Sequence, residues 1–528
     1  MNTTPSDRAR SPGQATLLVA AGALALFAPT VVQFNVQTTD LSAMRVLGGE
    51  VLYRDLWTMY APGSIYVMAL AYGIFGTQML VGNALGILVS VASVAALHRL
   101  AARVLGPVPA IVVAAAFAFA FLAAGYQNSL AGYPPAILLI FLAFDRLAVH
   151  AETLRRRHLL AAGVLLGLTG LFKHDIAAYA CIASAIGIAA TPSSGWSGSA
   201  RAISTLALPV VAIMALPIGL FVWAGAGPAM VHDFLVFPRT YFPHVRPEGF
   251  RVLPPLGADL QALWWWFDLN APSWALLVGV PGVFRGWRTA SGPSRRVLAM
   301  SMSVFVAFWL AAHVQANTHR ISMAAFGALV CAVGMLDYGR VPRPSTAVTR
   351  GAMLAVVIWC LAMLVPWGAR FYRAELGGQL IGLPRLTGIV APRWQAEQFR
   401  ELAEALDEAG PPEAPVLQVG WRNDVLIYAG ATPYWLTDRR MVTPFHELHP
   451  GITDVEPGQR RMLEDLAGGP LPVVVREHRF QGDVLDLWGD RYRAGGVPVG
   501  ATLLDEWVEA NYVPWRRIGP YEVMRSRR

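Results

Sequence analysis

Two aspartates lie on one polar stretch between the first and second long apolar runs of the chain. Asp40 directly follows the first run, and Asp55 comes fifteen residues later, just before the short apolar segment 62–75. A carboxylate can act as a general base on a hydroxyl group when it is held within reach of that group's proton. Either aspartate can equally cap a helix or accept backbone hydrogen bonds. We therefore treat Asp40 and Asp55 as candidate catalytic residues.

A second group of candidate residues is basic and suits a phosphate ligand. Arginine binds phosphate through two parallel hydrogen bonds, and lysine binds it as a point charge. A charge placed between apolar segments usually faces a water-filled cavity, because burial in lipid costs about 2.5–3.5 kcal/mol. Anchoring to lipid head groups is the alternative role for the arginines. The residues that we predict to bind phosphate are Lys173, Arg239, Arg246, Arg251 and Arg320.

Further polar and aromatic residues accompany these candidates. Those that we predict to contact substrate are Tyr60, His174, Asp175, His232 and His319. The histidines at 313 and 319 could join His174 and Asp175 around a metal ion, but their spacing does not define a metal site. We therefore predict no metal or other cofactor, with a divalent metal as the alternative. The three cysteines lie inside apolar blocks without a CxxC pair, so no disulfide is predicted.

The elements that must position these residues are apolar segments of membrane-spanning length. Of the 528 residues, 55% are hydrophobic and only 14% are charged, whereas about a quarter of the residues in a soluble domain are charged. A bilayer needs about 20 apolar residues per helix. We predict about eleven spans, near residues 15–35, 79–101, 108–125, 133–149, 158–172, 175–190, 203–226, 268–284, 297–315, 320–337 and 351–368. The segment 62–75 is predicted as a helix at the membrane interface.

The basic residues fix the orientation of these spans. The net charge is +8, but the arginines lie in short loops and form no single patch for nucleic acid. With a cytoplasmic N-terminus, the arginines alternate as the positive-inside rule requires. The cytoplasmic loops then carry Arg99, Arg103, Arg155, Arg156, Arg157, Arg201, Arg285, Arg288, Arg295, Arg296, Arg340, Arg343 and Arg350. The loop 36–78 and the chain after residue 368 are consequently predicted to be extracytoplasmic.

The composition changes near residue 370, where charged residues become frequent. We predict a helix over 391–410, buried strands beginning at Pro415 and Leu471, a helix over 503–512 and a final strand from Tyr521. A short helix is also predicted at 424–428. Helices alternating with strands indicate a small α/β domain. The fold class is therefore a polytopic α-helical membrane domain over 1–368, followed by an extracytoplasmic α/β domain over 369–528.

The opening stretch resembles a known superfamily. An aspartate after the first span is followed by Gly-Gly-Glu-Val-Leu-Tyr-Arg-Asp-Leu-Trp over 48–57, Tyr-Ala-Pro-Gly-Ser over 60–64 and Phe-Gly before the second span. This pattern is similar to the start of GT-C membrane glycosyltransferases, in the bacterial branch related to protein O-mannosyltransferases and aminoarabinose transferases (family 39). The Phe-Lys-His-Asp corner at 172–175 also resembles a junction in that branch. The predicted α/β domain after the last span resembles that branch only in its position along the chain.

The resemblance implies an activity and a set of roles. The donor would be a sugar on a polyprenyl phosphate in the cell membrane, and the acceptor an envelope glycan, lipid or protein. Asp40 would be the general base in an inverting transfer, and Asp55 would orient the acceptor or the loop. Lys173 and Arg239 would stabilise the leaving phosphate. Many relatives have an acidic pair after the first span, whereas Leu41 follows Asp40 here, which weakens the case for a metal.

Two other functions remain open on the sequence. A transporter for a lipid-linked sugar should show paired halves with broken helices near the membrane midplane, and no such internal repeat is visible. A non-catalytic membrane scaffold would use the C-terminal domain to bind a partner. It predicts that Asp40 can be replaced without effect.

Overall fold

The structure of the chain is a computed structural model. It describes residues 12–105, 107–123, 125, 127–190, 195–240, 299, 303, 378–424, 431–446, 448, 451–478 and 500–527. These residues form two compact units. The first unit contains the described residues up to 30, those from 84 to 217, and positions 299 and 303. The second unit contains residues 31–83, 218–240 and the described residues from 378 onward.

Helices contain most of the described residues up to Thr240. In chain order they are α1 (Pro12–Phe27), α2 (Thr38–Leu47), α3 (Pro62–Phe75), α4 (Met79–Leu105), α5 (Pro107–Ala123), α6 (Tyr133–Thr153), α7 (Arg156–Phe172), α8 (His174–Ala189), α9 (Gly195–Trp223) and α10 (Gly227–Val231). A 3₁₀ turn follows α1, and a single π-helical turn follows α10. In the described part of the chain, four helical segments are long and apolar enough to cross a membrane: Gly13–Val32, Met79–Arg103, Tyr133–Thr153 and Gly195–Trp223.

The first seven predicted spans each coincide with one of these helices, namely α1 and α4 to α9. The predicted spans between 268 and 368 lie outside the described residues, apart from positions 299 and 303. Helices α7 and α8 have 17 and 16 residues and meet at Lys173, in agreement with the predicted spans 158–172 and 175–190. Helix α3 begins at Pro62, where proline needs no hydrogen-bond partner for its nitrogen.

Close packing in the first unit depends on small residues. Gly163 and Gly167 lie one turn apart on α7 and face α9. A Cβ atom added at Gly167 would lie 3.0 Å from the Ile213 Cβ and 3.1 Å from the Val210 Cα. Glycine pairs at this spacing let two helix backbones approach each other closely. The sequence of α7 therefore sets its contact with α9.

The described residues from 378 to 527 form what we call the α/β module. Its strands are β1 (Gly378–Leu380), β2 (Val390–Pro392), β3 (Val416–Gly420), β4 (Val473–Glu477), β5 (Tyr512–Ile518) and β6 (Tyr521–Ser526), and its helices are α11 (Arg393–Ala409), α12 (Thr432–Leu436), α13 (Glu456–Ala467) and α14 (Leu503–Asn511). Strands β1 and β2 form an antiparallel pair. The main sheet has the order β3-β4-β6-β5, with β3 and β4 parallel and the other pairs antiparallel.

Most of the predicted elements of this region agree with the observed ones, but strands β1, β2 and β5 and helices α12 and α13 were not predicted. The helix predicted over 391–410 is α11, and the strands predicted from Pro415, Leu471 and Tyr521 are β3, β4 and β6. Strand β5 was not predicted, and it begins at Tyr512, where the predicted helix was to end. The predicted helix at 424 and the predicted domain boundary at 368 lie outside the described residues.

The core of the α/β module includes two aromatic residues from distant parts of the chain. Trp57 and Phe237 are buried together with Leu417 of β3, Val474 of β4 and Val508 of α14. The two aromatic rings meet edge to face with centroids 5.3 Å apart, an arrangement that adds to their hydrophobic burial. The loop before α3 and the segment after α10 are therefore integral parts of the second unit.

Candidate functional site

Asp40 lies in the first turn of α2, and its side chain is buried, with 4% of the residue exposed. The sequence indicated a polar loop here, and that expectation is wrong over Thr38–Leu47. Leu41 and Ala43 are fully buried, so packing of these apolar residues favours a helix where the polar pattern suggested none. A carboxylate in the first turn of a helix also interacts favourably with the helix dipole.

The surroundings of Asp40 make its carboxyl group an unusually weak acid. Burial raises the pKa of Asp40 to about 8, because the charged form loses its hydration. The Tyr72 hydroxyl lies beside the carboxyl group and opposes this rise, although the two groups do not form a hydrogen bond of standard geometry. Gly82 borders the same space. A Cβ atom there would lie 3.2 Å from the Tyr72 hydroxyl and 3.4 Å from Oδ2 of Asp40.

A carboxyl group with this pKa can do proton chemistry near neutral pH. General bases are most effective when their pKa lies close to the working pH. Strongly perturbed carboxyl groups of this kind are concentrated at functional sites. Asp40 is thus equipped to accept a proton from a hydroxyl group brought beside it.

Tyr72 and Arg385 are neighbours of this site that the sequence analysis missed. Arg385 is close enough to Tyr72 for its charge to act on the hydroxyl, and burial lowers the pKa of the arginine. Its Nη1 donates to the carbonyls of Tyr434 and Thr437 at 3.0 and 2.9 Å. A tyrosine inside the apolar sequence of α3 was a signal that could have been noticed. No local pattern marks Arg385.

Asp55 is positioned to hold the turn that precedes α3. Its Oδ2 accepts a hydrogen bond from the Val51 amide at 2.7 Å, and both carboxylate oxygens pair with the Arg54 guanidinium at 2.8 Å. This pairing lowers the pKa of Asp55. Tyr53 in the same turn has φ +69°, a conformation that non-glycine residues seldom adopt without such support. Asp55 is therefore an ion-paired carboxylate with a lowered pKa, whereas Asp40 is buried and has a raised pKa.

Arg45 connects the end of α2 to the α/β module. Its guanidinium pairs with Glu50 at 2.6 Å and donates to the Thr443 and Pro444 carbonyls at 2.7 and 3.3 Å. The Trp57 amide also donates to the Pro444 carbonyl, at 3.1 Å. Most of these groups are buried, where hydrogen bonds to a charged group are strong. Asp40 and Asp55 both lie in the second unit, on a segment that these hydrogen bonds attach to the α/β module.

Lys173 lies in the first unit, at the break between α7 and α8. Its backbone is extended, with φ −154° and ψ 92°. Its Nζ lies 3.7 Å from Oδ1 of Asp175 and 4.9 Å from the centre of the Tyr133 ring. Only 17% of the lysine side chain is exposed. His174 and Asp175 form the first turn of α8, so the structure brings the three residues of the predicted corner together.

The other predicted site residues of the second unit are more dispersed. The Nδ1 of His232 lies 3.0 Å from Oδ1 of the buried Asp233, whereas 56% of the His232 side chain is exposed. Burial raises the pKa of Asp233. Arg239 is exposed, and the Tyr60 carbonyl accepts a hydrogen bond from the Tyr53 hydroxyl at 2.9 Å. The predicted residues outside the described part are Arg246, Arg251, His313, His319 and Arg320.

The described residues do not bring together the ligands of a metal site. Among them, no group of three or more histidine, cysteine, aspartate or glutamate side chains could hold a metal ion. The chemistry that the described site offers is therefore that of a buried carboxyl group beside a tyrosine, with an arginine nearby.

Comparison with known proteins rests on structure alone. No protein-family model and no curated protein sequence matches the chain. ArnT from Cupriavidus metallidurans in the apo state aligns with a TM-score of 0.53 and 12% identity, covering 97% of each chain. ArnT bound to undecaprenyl phosphate gives 0.52 and 12% identity, over 97% of this chain and 98% of that one. The oligosaccharyltransferase AglB from Archaeoglobus fulgidus gives 0.47 and 13% identity, over 98% of this chain and 74% of that one. The similarity to ArnT shows that the chain has the GT-C fold, which confirms the resemblance inferred from its opening motif.

Proposed function

We propose that this protein is a membrane glycosyltransferase. It transfers a sugar from a polyprenyl-phosphate donor to an acceptor hydroxyl on the extracytoplasmic side of the cell membrane. The observation that carries the proposal is the buried Asp40, whose pKa is raised to about 8, within the fold of ArnT. One ArnT structure is bound to undecaprenyl phosphate, and this supports a lipid phosphate as the leaving group here.

The reaction is a single displacement at the anomeric carbon of the donor sugar. Asp40 accepts the proton of the acceptor hydroxyl while the hydroxyl oxygen forms a bond to that carbon. The bond between the anomeric carbon and the donor phosphate oxygen breaks, and its electron pair leaves with the polyprenyl phosphate. Attack from the face opposite the leaving phosphate inverts the anomeric configuration. The proton remains on Asp40 until solvent removes it.

Basic residues stabilise the negative charge that develops on the leaving phosphate. We assign this role to Lys173 and Arg239, and we extend it to Arg246 and Arg320 outside the described residues. Fixed charges in a site of low dielectric constant stabilise a transition state strongly, because little reorganisation is needed. Only 17% of the Lys173 side chain is exposed, which supports this role for the lysine. Arg239 is exposed to solvent, so its position gives less support for the same role.

The remaining assignments concern the substrates and the topology. Tyr60, His174, Asp175 and His232 contact the donor or the acceptor, as does His319 beyond the described part. Asp55 shapes the loop and does not exchange protons. The acceptor is an envelope glycan, lipid or protein, and nucleic acid is not a substrate. The N-terminus is cytoplasmic and the α/β module is extracytoplasmic. The mechanism uses no metal ion.

Release of the lipid phosphate tests the proposal. The full-length protein is placed in vesicles with polyprenyl-phosphate sugars and an envelope extract as acceptor. We expect free polyprenyl phosphate to appear with the glycosylated acceptor, and the product linkage to be opposite in anomeric configuration to the donor. Donor that crosses the bilayer intact would identify a transporter. Donor that is neither moved nor consumed would favour the scaffold.

A further inference from the structure

We propose that His446 of the α/β module is a positioning residue for Asp40 and acts through Ser42. This inference rests on the proposed function, because it assigns the module a part in that reaction. His446 and Ser42 are 404 positions apart in the sequence, yet their side chains meet in the second unit. The Nε2 of His446 lies 3.0 Å from Oγ of Ser42, and both residues are buried.

The direction of this hydrogen bond follows from the partners of Ser42. The Ser42 hydroxyl donates its hydrogen to the Thr38 carbonyl at 3.1 Å. With its hydrogen used in this bond, the Ser42 oxygen is assigned as the acceptor and Nε2 of His446 as the donor. The Thr38 carbonyl also lies close enough to His446 to act on the imidazole directly. The two bonds form a chain from His446 through Ser42 to Thr38. Asp40 lies between Thr38 and Ser42 in α2, so these hydrogen bonds span the helical turn that carries it.

His446 is held in the neutral form that this role requires. Burial is the main reason that its pKa falls to about 3, and the nearby positive charge of Arg45 adds to the effect. Its Nδ1 is buried without a hydrogen-bond partner. Burying a nitrogen without a hydrogen-bond partner is unfavourable.

Further bonds to the same segment of the module hold the other end of α2. Arg45 donates to the Thr443 and Pro444 carbonyls. Helix α2 is consequently attached to residues 443–446 through Ser42 at its middle and Arg45 near its end. The position of the Asp40 carboxyl group then depends on the α/β module. A catalytic group displaced by about 1 Å can lose about a hundredfold in rate, so this attachment bears directly on turnover.

Substitutions of His446 in the full-length protein test the inference. His446→Leu removes the hydrogen-bond donor, whereas His446→Gln keeps an amide donor at the position of Nε2. The matched control is His478→Gln, because His478 is a histidine of the same module whose Nε2 lies near Glu522 at 3.3 Å. We expect His446→Leu to lower kcat by about 10- to 100-fold with an unchanged donor KM. His446→Gln should restore most of the activity.

Two further measurements separate positioning from general damage. In an Asp40→Asn background, His446→Leu should cause no additional loss, because residues that act through one another are not additive. Hydrogen exchange of the α2 amides should accelerate in His446→Leu and not in His478→Gln. Equal exchange in all variants, a raised KM with unchanged kcat, or an additive loss in the Asp40→Asn background would overturn the inference. A different result would separate the two proposals. If His446→Leu accelerates exchange of the α2 amides but the unaltered protein transfers no sugar, the proposed function is refuted and the attachment of α2 is not.

Discussion

Replacing Tyr72 by phenylalanine should move the pH dependence of the reaction in a known direction. The Tyr72 hydroxyl favours the charged form of Asp40, whose pKa is about 8. Only the carboxylate form can accept a proton, so activity should fall as the pH decreases through about 8. Without the hydroxyl, the pKa of Asp40 rises further. The acidic limb of kcat/KM should therefore shift to higher pH in Tyr72→Phe.

The size of the shift follows from the geometry of the two groups. A well-formed hydrogen bond to a charged group contributes about 1.5–3 kcal/mol, and one pKa unit corresponds to about 1.4 kcal/mol. Because the Tyr72 hydroxyl lacks standard geometry, we expect a shift of about one unit or less. At pH 7 the rate should fall by up to about tenfold. Thermal stability should not decrease, since the substitution removes an unsatisfied buried hydroxyl.

The assay is polyprenyl-phosphate release by the purified protein between pH 6 and pH 10, measured at low donor concentration. The matched control is Tyr66→Phe on the same helix α3, because 42% of Tyr66 is exposed. Its acidic limb should stay in place. A limb that moves to lower pH in Tyr72→Phe, or a loss of equal size at every pH, would refute the assignment of the limb to Asp40.

Three other substitutions test neighbouring parts of the site. Gly82→Ala should lower kcat, because the added methyl would lie 3.2 Å from the Tyr72 hydroxyl, closer than an ordinary contact, and would crowd the hydroxyl beside Asp40. Gly22→Ala, where no atom lies within 4 Å of the added methyl, is its control and should leave the transfer rate unchanged. Lys173→Ala should raise the KM for the donor more than that for the acceptor, and equal increases would count against a phosphate role. Asp55→Ala should lower the melting temperature, at a cost of about 1 kcal/mol, without moving the acidic limb. A moved limb would instead make Asp55 a partner in proton transfer.

Some parts of the fold follow from local sequence signals. Helix α3 begins at Pro62 as predicted, because proline is favoured at the first position of a helix. The break at Lys173 also lies where a charged corner divides two apolar segments. Strand β5 lacks such a signal. It follows Asn511, the last residue of α14, with no intervening loop, and pairing with β6 determines its conformation.

The candidate site could be predicted only in part for the same reason. Asp40 was recognisable from its place after the first apolar run. Its helix was not, because burial of Leu41 and Ala43 depends on packing with distant residues. The hydrogen bond between Ser42 and His446 joins residues 404 positions apart, and nothing in either local sequence indicates the other. Long-range contacts of this kind carry the features of the site that the sequence analysis missed.

The role of Asp40 is tested most directly by the nearly isosteric Asp40→Asn variant. Sugar transfer from a polyprenyl-phosphate donor is compared with that of the unaltered protein, at equal protein levels and equal melting temperatures. Loss of a general base should reduce the rate by about 10²- to 10⁴-fold. Transfer by the variant at the normal rate would contradict the assignment of Asp40 as the base.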